Sequence, residues 1–231
     1  EWYSEAECRR NIYSATKSFT SCAVGFAVQE GLLSLDEKLV DAFSEDLPIE
    51  IDDNLQMATV RDLLTMCLGQ EQGNLMGAQR PLYKEDDWVK MSLAIPFKYK
   101  PGTHFVYNNV GPYLAGILVQ RRSGCDLVSY LTPRLFTHLG IKRPTWETDP
   151  LGNSFGAGGL FLTLSELHNF GLFYLNKKAQ VPLIQMTMAI FFGEVNIIPL
   201  GLMENTLRLR WFCLKKMLLY HLLQNVVKVK N

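Results

Sequence analysis

Ser14 and Lys17 stand three residues apart in Ser14-Ala15-Thr16-Lys17, where an apolar helix is about to begin. One helical turn brings such positions onto one face, so the hydroxyl and the amine can meet, and the helix dipole adds its positive end. A lysine amine held in an apolar site can be the proton partner of a serine hydroxyl, which yields an activated nucleophile without any histidine. The chemistry this suits is acyl transfer. The same four residues also describe a helix N-cap followed by a surface lysine, and a chain of this length produces the spacing by chance. A second constellation is therefore needed.

Tyr107-Asn108-Asn109 supplies it, following the Pro101-Gly102 turn and leading into an apolar helix with Tyr113, Leu114 and Ile117. A tyrosine held beside a lysine ammonium can serve as general base, and an asparagine amide can orient a substrate carbonyl or the lysine itself. Tyr174-Leu175-Asn176 has the same Tyr-x-Asn spacing. It is set aside because it falls at the carboxyl end of a predicted helix, where no turn presents it to a cleft.

Five blocks in order resemble the serine beta-lactamase and penicillin-binding-protein superfamily, in particular its class C and esterase-like branch. Tyr13 to Ser21 is similar to that family's nucleophile motif, and Gly31 to Lys38 to the segment after its first catalytic helix. Thr59 to Met66 resembles the next helix, Pro101 to Asn109 the Pro-Gly-x-x-Phe-x-Tyr-Ser-Asn block, and Gly156 to Leu160 the later glycine turn. The resemblance runs over residues 11–178. It implies an α/β fold of the beta-lactamase/transpeptidase type, here mainly the helical region with an incomplete sheet. By the same resemblance Ser14 is the nucleophile that forms an acyl-enzyme, Lys17 its proton partner, Tyr107 the general base and Asn109 a substrate-binding amide.

Two departures stand beside it. Asn108 occupies a position where serine is usual and commonly helps to move protons. The family's third motif, Lys-Thr-Gly or a His-containing relative on a late strand, has no match, although it would supply the second donor of an oxyanion hole beside the Ser14 N–H. His138-Leu139-Gly140 is the nearest string and reads as a helix end. The chain is expected to start inside a longer one, because it opens at the nucleophile helix without an initiator Met or a secretory signal pattern.

The elements that must position these residues are mostly helical. A central helix is predicted from Ser14 to a stop at Gly31, a second from Thr59 to about 69 opened by the box Thr59-Val-Arg-Asp62, and a similar box at Ser34-Leu-Asp-Glu37. Further helices are predicted over about 85–94, 109–122 and 126–138, with Pro133 kinking or splitting the last, and from Thr163 or Ser165 to Asn176. Strand signals are confined to Phe105-Val106, Gly159 to Leu162 and Val195 to Ile198.

With 48% apolar and 20% charged residues the chain is of the folding class, and 23 basic against 23 acidic residues leave no net field to attract nucleic acid. None of His104, His168 and His221 has metal-ligand spacing, and the glycines at 156, 158 and 159 read as a tight turn; no metal and no cofactor is expected. Cys8, Cys22, Cys67, Cys125 and Cys213 lack paired spacing and read as free thiols, with Cys22, Cys67 and Cys125 in apolar or small-residue surroundings. No apolar run is long enough for a spanning helix.

Residues 1–178 thus form an incomplete hydrolase region, and 179–231 a divergent basic, helical tail. Leu207, Trp211, Leu214, Leu218 and Leu222 recur at three and four with Arg208, Lys215 and Lys216 elsewhere, a pattern that suits a membrane surface. Packing on an apolar face of the protein is the preferred reading. The function expected is a serine hydrolase acting on an amide or ester of a small molecule or peptide, impaired by the unmatched third motif. The alternative is a truncated, non-catalytic relative that binds a ligand or partner.

Overall fold

The computed structural model describes residues 8–175. At its centre lie two helices that are buried on every side except over their last turns, α1 (Thr16–Gln29) and α6 (Val110–Ser123). All residues from Thr16 to Gly25 and from Val110 to Gln120 are buried, which is why neither sequence shows a polar stripe. They pack on each other, and α4 (Val60–Thr65) packs on α6. Phe19 of α1 anchors the arrangement by stacking on Phe170 at 4.0 Å between ring centroids. Gly31 ends α1 with φ +73°, the left-handed geometry that a helix stop requires.

Short helices surround this pair: α2 (Leu39–Ala42), α3 (Asp53–Met57), α5 (Trp88–Leu93), α7 (Leu127–Leu131), α8 (Thr137–Leu139) and, at the end of the described residues, α9 (Leu164–Leu175). Their starts follow from capping carboxylates. Asp52 accepts from the Leu55 N–H at 2.7 Å, Asp87 from Lys90 at 3.1 Å and Asp126 from Ser129 at 2.9 Å. The predicted box at Thr59 forms, with Asp62 Oδ2 accepting from the Thr59 N–H at 2.8 Å. The box predicted at Ser34 does not open a helix: Ser34 to Glu37 is a turn closed by Glu37 N–H to Ser34 C=O, and α2 begins only after Lys38. Pro133, which has no N–H for a helical ladder, lies in a π turn over Thr132–Phe136 that separates α7 from α8.

The sheet among the described residues has three short antiparallel strands, β1 (Arg10–Asn11), β2 (Thr145–Trp146) and β3 (Leu160–Leu162), in the order β1-β3-β2. Arg10 pairs with Leu162 and Asn11 with Phe161 on one side; Thr145 pairs with Phe161 and Trp146 with Leu160 on the other. Leu160 and Leu162 point into the core, and β1 hands the chain directly to the segment carrying Ser14. The strand predicted at Phe105-Val106 does not form. Val106 N–H reaches Met66 C=O at 3.0 Å, but Met66 has φ +56°, and the bend there prevents a ladder.

Cys22 and Cys67 are buried thiols in no disulfide, and burial pushes them up to about 12 and about 11; Cys125 is half-buried and Cys8 exposed. The predictions for the strand at 195–198, the basic helix, Cys213 and His221 lie outside the described residues. No helix among the described residues is long and apolar enough to cross a membrane.

Candidate active site

Ser14 does not start the central helix itself. It occupies a tight 3-10 turn over Tyr13–Ala15 that runs into α1, and its side chain is exposed while the helix behind it is buried. The turn's closing bond runs from Ala15 N–H to Ile12 C=O at 3.1 Å. Ser14 lies within that ring, and its own N–H is one of the donors that a helix start leaves without an intrahelical acceptor.

Lys17 stands on the first turn of α1, as the three-residue spacing requires, and is only 2% exposed. A buried ammonium must find acceptors nearby, and two are at hand. Nζ donates to Ser14 Oγ at 3.1 Å and to the carbonyl of Ala157 at 2.6 Å. It also lies 5.2 Å from the centroid of the Tyr107 ring. One turn further along α1, Thr20 Oγ1 donates to the carbonyl of Gly156 at 2.7 Å. Two side chains of α1 therefore clamp consecutive carbonyls of the glycine segment. That segment does form the expected tight turn, with Gly158 N–H on Phe155 C=O.

Tyr107 brings its phenol oxygen to 2.6 Å from Ser14 Oγ. The loop presenting it is held by its neighbour. Asn108 is buried, its Oδ1 accepting from the N–H groups of Asn74 and Val110 at 3.0 Å each, and its Nδ2 donating to Gln70 Oε1 at 2.7 Å. The residue that departs from the resemblance thus has its amide committed to loop packing.

Asn109 is not drawn into the same cluster. It caps α6, its Nδ2 donates to Leu75 C=O at 3.0 Å, and its Oδ1 is buried with no hydrogen-bond partner among the described residues. His104 is exposed, bonded to Thr103 Oγ1 and stacked on Tyr99, well away in role from the serine. Among the described residues no group of histidine, cysteine and carboxylate side chains is arranged to hold a metal.

What the sequence did not reveal is the carbonyl of Ala157, since a backbone acceptor leaves no residue signature. It also did not reveal the polar chain that begins three residues before Ser14, in which Asn11 Nδ2 donates to Glu147 Oε1 at 3.1 Å and Arg80 Nη1 to Glu147 Oε2 at 3.3 Å. Serine, lysine and tyrosine in mutual reach form a unit in which a hydroxyl proton can pass to a phenol oxygen while an ammonium steadies the negative charge.

The chain is similar to several other proteins. The fimbrial assembly protein FimD of Dichelobacter nodosus, serogroup D, is 32% identical over 117 residues, 48% of this chain and 28% of FimD. The lovastatin esterase of Penicillium rubens is 31% identical over 152 residues, 56% of this chain and 37% of the esterase. Among solved structures, the octameric penicillin-binding protein homologue from Pyrococcus abyssi superposes with a TM-score of 0.60 at 22% identity, covering 79% of this chain and 49% of that one. Simvastatin synthase from Aspergillus terreus gives 0.59 at 20%, covering 81% and 56%. The chain thus spans about a third of the length of the curated relatives and about half that of the solved ones. The two superpositions show the beta-lactamase and penicillin-binding-protein fold. The model of the family described as Beta-lactamase matches residues 6–217, most of the sequence, and the chain belongs to that family.

Proposed function

We propose that the chain is a serine hydrolase of the beta-lactamase type that opens an amide or ester through an acyl-enzyme at Ser14. The observation that carries this reading is the placement of Ser14 Oγ between Tyr107 Oη at 2.6 Å and Lys17 Nζ at 3.1 Å. Lys17 donates to Oγ, so the hydroxyl proton is directed at Tyr107. Tyr107 takes that proton as Oγ attacks the carbonyl carbon, and returns it to the leaving group when the tetrahedral adduct collapses. Lys17, held by Ala157 C=O, stabilises Tyr107 as the phenolate that takes the proton and that re-forms once the leaving group has received it. The Ser14 N–H faces the developing oxyanion. Asn109, with Nδ2 committed to Leu75 and Oδ1 buried, acts on the substrate only through the loop that carries Tyr107, which it helps to hold in position.

The substrate is a beta-lactam, a D-alanyl peptide or a small ester, and the kinship with a lovastatin esterase supports the ester. Labelling with a fluorophosphonate, followed by intact mass and peptide mapping, tests the reading. Stoichiometric labelling at Ser14 that disappears in Ser14→Ala is the expected result. No labelling of the folded chain would overturn it and leave the non-catalytic binding reading.

A further inference from the structure

The residue before the nucleophile is held in a conformation its own side chain disfavours. Tyr13 has φ +47°, a left-handed geometry that glycine adopts freely and that a Cβ opposes. The conformation is imposed by its surroundings: Asn11 Oδ1 accepts from the Tyr13 N–H at 2.7 Å, and the chain from Asn11 through Glu147 to Arg80 holds Asn11 in turn. Nothing is gained from the side chain inside the fold. The residue is 75% exposed, and among the described residues its ring stacks on no other ring and its hydroxyl makes no hydrogen bond. A strained backbone carrying a large aromatic group that buries little is the reverse of what stability alone favours.

The position gives the ring a use. Consecutive Cα atoms lie about 3.8 Å apart, so Tyr13, exposed like Ser14, is rooted directly beside the point where an acyl group would be attached. The acyl group is the part of a substrate that stays on Ser14 Oγ. An aromatic face there offers apolar contact with geometric preference.

We propose that Tyr13 is a specificity residue of the Ser14 site, its ring forming a wall that favours substrates whose acyl group carries an aromatic or similarly bulky apolar substituent. The proposal rests on the acyl-enzyme reading above.

Two fluorophosphonates differing only in a methyl or a benzyl group on phosphorus test it, with labelling rates followed by intact mass. The benzyl-to-methyl rate ratio is expected to fall about three- to tenfold in Tyr13→Ala and to stay within about twofold of the parent in Tyr13→Phe. Tyr13→Gly is expected to melt no lower than the parent, since it relieves the strained φ. An unchanged ratio in Tyr13→Ala would overturn the proposal. So would an equal fall in Tyr13→Phe, which would assign the effect to the hydroxyl, or a clear loss of thermal stability in Tyr13→Gly, which would make the ring structural. Failure of both probes to label the parent at Ser14 would instead remove the acyl-enzyme reading, and this inference with it.

Discussion

Lys17 is among the few charged side chains that this core encloses, and its environment allows stability and chemistry to be separated. Its hydrogen bond to Ala157 C=O offsets part of the cost of removing an ammonium from water, but a buried charge replaced by an apolar group of similar shape is often neutral or stabilising. In the proposed reaction the contacts to Ser14 Oγ and the Tyr107 ring matter while the phenol oxygen carries negative charge. Lys17→Met should therefore leave the melting temperature within a few degrees of the parent while lowering the labelling rate of Ser14 by about a hundredfold or more, the range of a lost proton-transfer partner. Thermal unfolding and labelling kinetics on one preparation check both halves. A loss of labelling that tracked unfolding would reduce Lys17 to a packing residue. Ser14 and Lys17 could be paired from sequence because helical spacing is a local rule. The meeting of Tyr107 with them, 93 positions from Ser14, was legible only through a resemblance in block order.

The elements show why the glycine segment is as much a part of the site as the side chains. A Cβ built on Gly156 would lie 2.6 Å from the carbonyl oxygen of Pro112 and 3.2 Å from Thr20 Cγ2, so α6 and α1 both approach bare backbone there. The next carbonyl, of Ala157, is the one that Lys17 holds. Gly156→Ala must push this segment away from α6, costing about 1 to 3 kcal/mol of stability as overpacking does. The shift reaches the ammonium directly, and displacements near 1 Å at a reacting geometry cost up to about a hundredfold. We expect labelling of Ser14 to fall about ten- to a hundredfold in Gly156→Ala at temperatures where the variant is still folded, as checked by labelling rates beside circular dichroism. Helices such as α1 and α6 were legible because long apolar runs bounded by Gly31 or an asparagine turn have few other uses. The strand expected at Phe105-Val106 was misread because alternation and a preceding Pro-Gly turn say nothing of the partner, and the partner bends at Met66. The box at Ser34 failed for a related reason. Ser-x-x-Glu states that a turn can be capped, while α2 starts where Leu39 can be buried against the residues around Ala58.

At the scale of the whole molecule, attack and turnover make different demands. Attack needs Ser14, Lys17 and Tyr107, which the helical body holds together. Turnover also needs the oxyanion stabilised twice, once as the acyl-enzyme forms and once as water removes it. In the proposed reaction the Ser14 N–H is one donor, and the second, by resemblance to the family, belongs to a Lys-Thr-Gly strand that has no counterpart in this sequence. Removing one such donor typically lowers kcat about a hundred- to a thousandfold, roughly 3 to 4 kcal/mol, and a substrate without that strand alongside is also less well aligned. Both effects act on the tetrahedral species of each step, but a strained lactam or a nitrophenyl leaving group favours acylation, so deacylation should be the step that limits the chain on its own. The expected outcome with a chromogenic beta-lactam and a short-chain nitrophenyl ester is a burst of about one equivalent of product, followed by release far slower than the range of about 1 to 1,000 per second ordinary for enzymes. Sustained turnover of either compound within that range, abolished by Ser14→Ala, would show that a second donor is already in place.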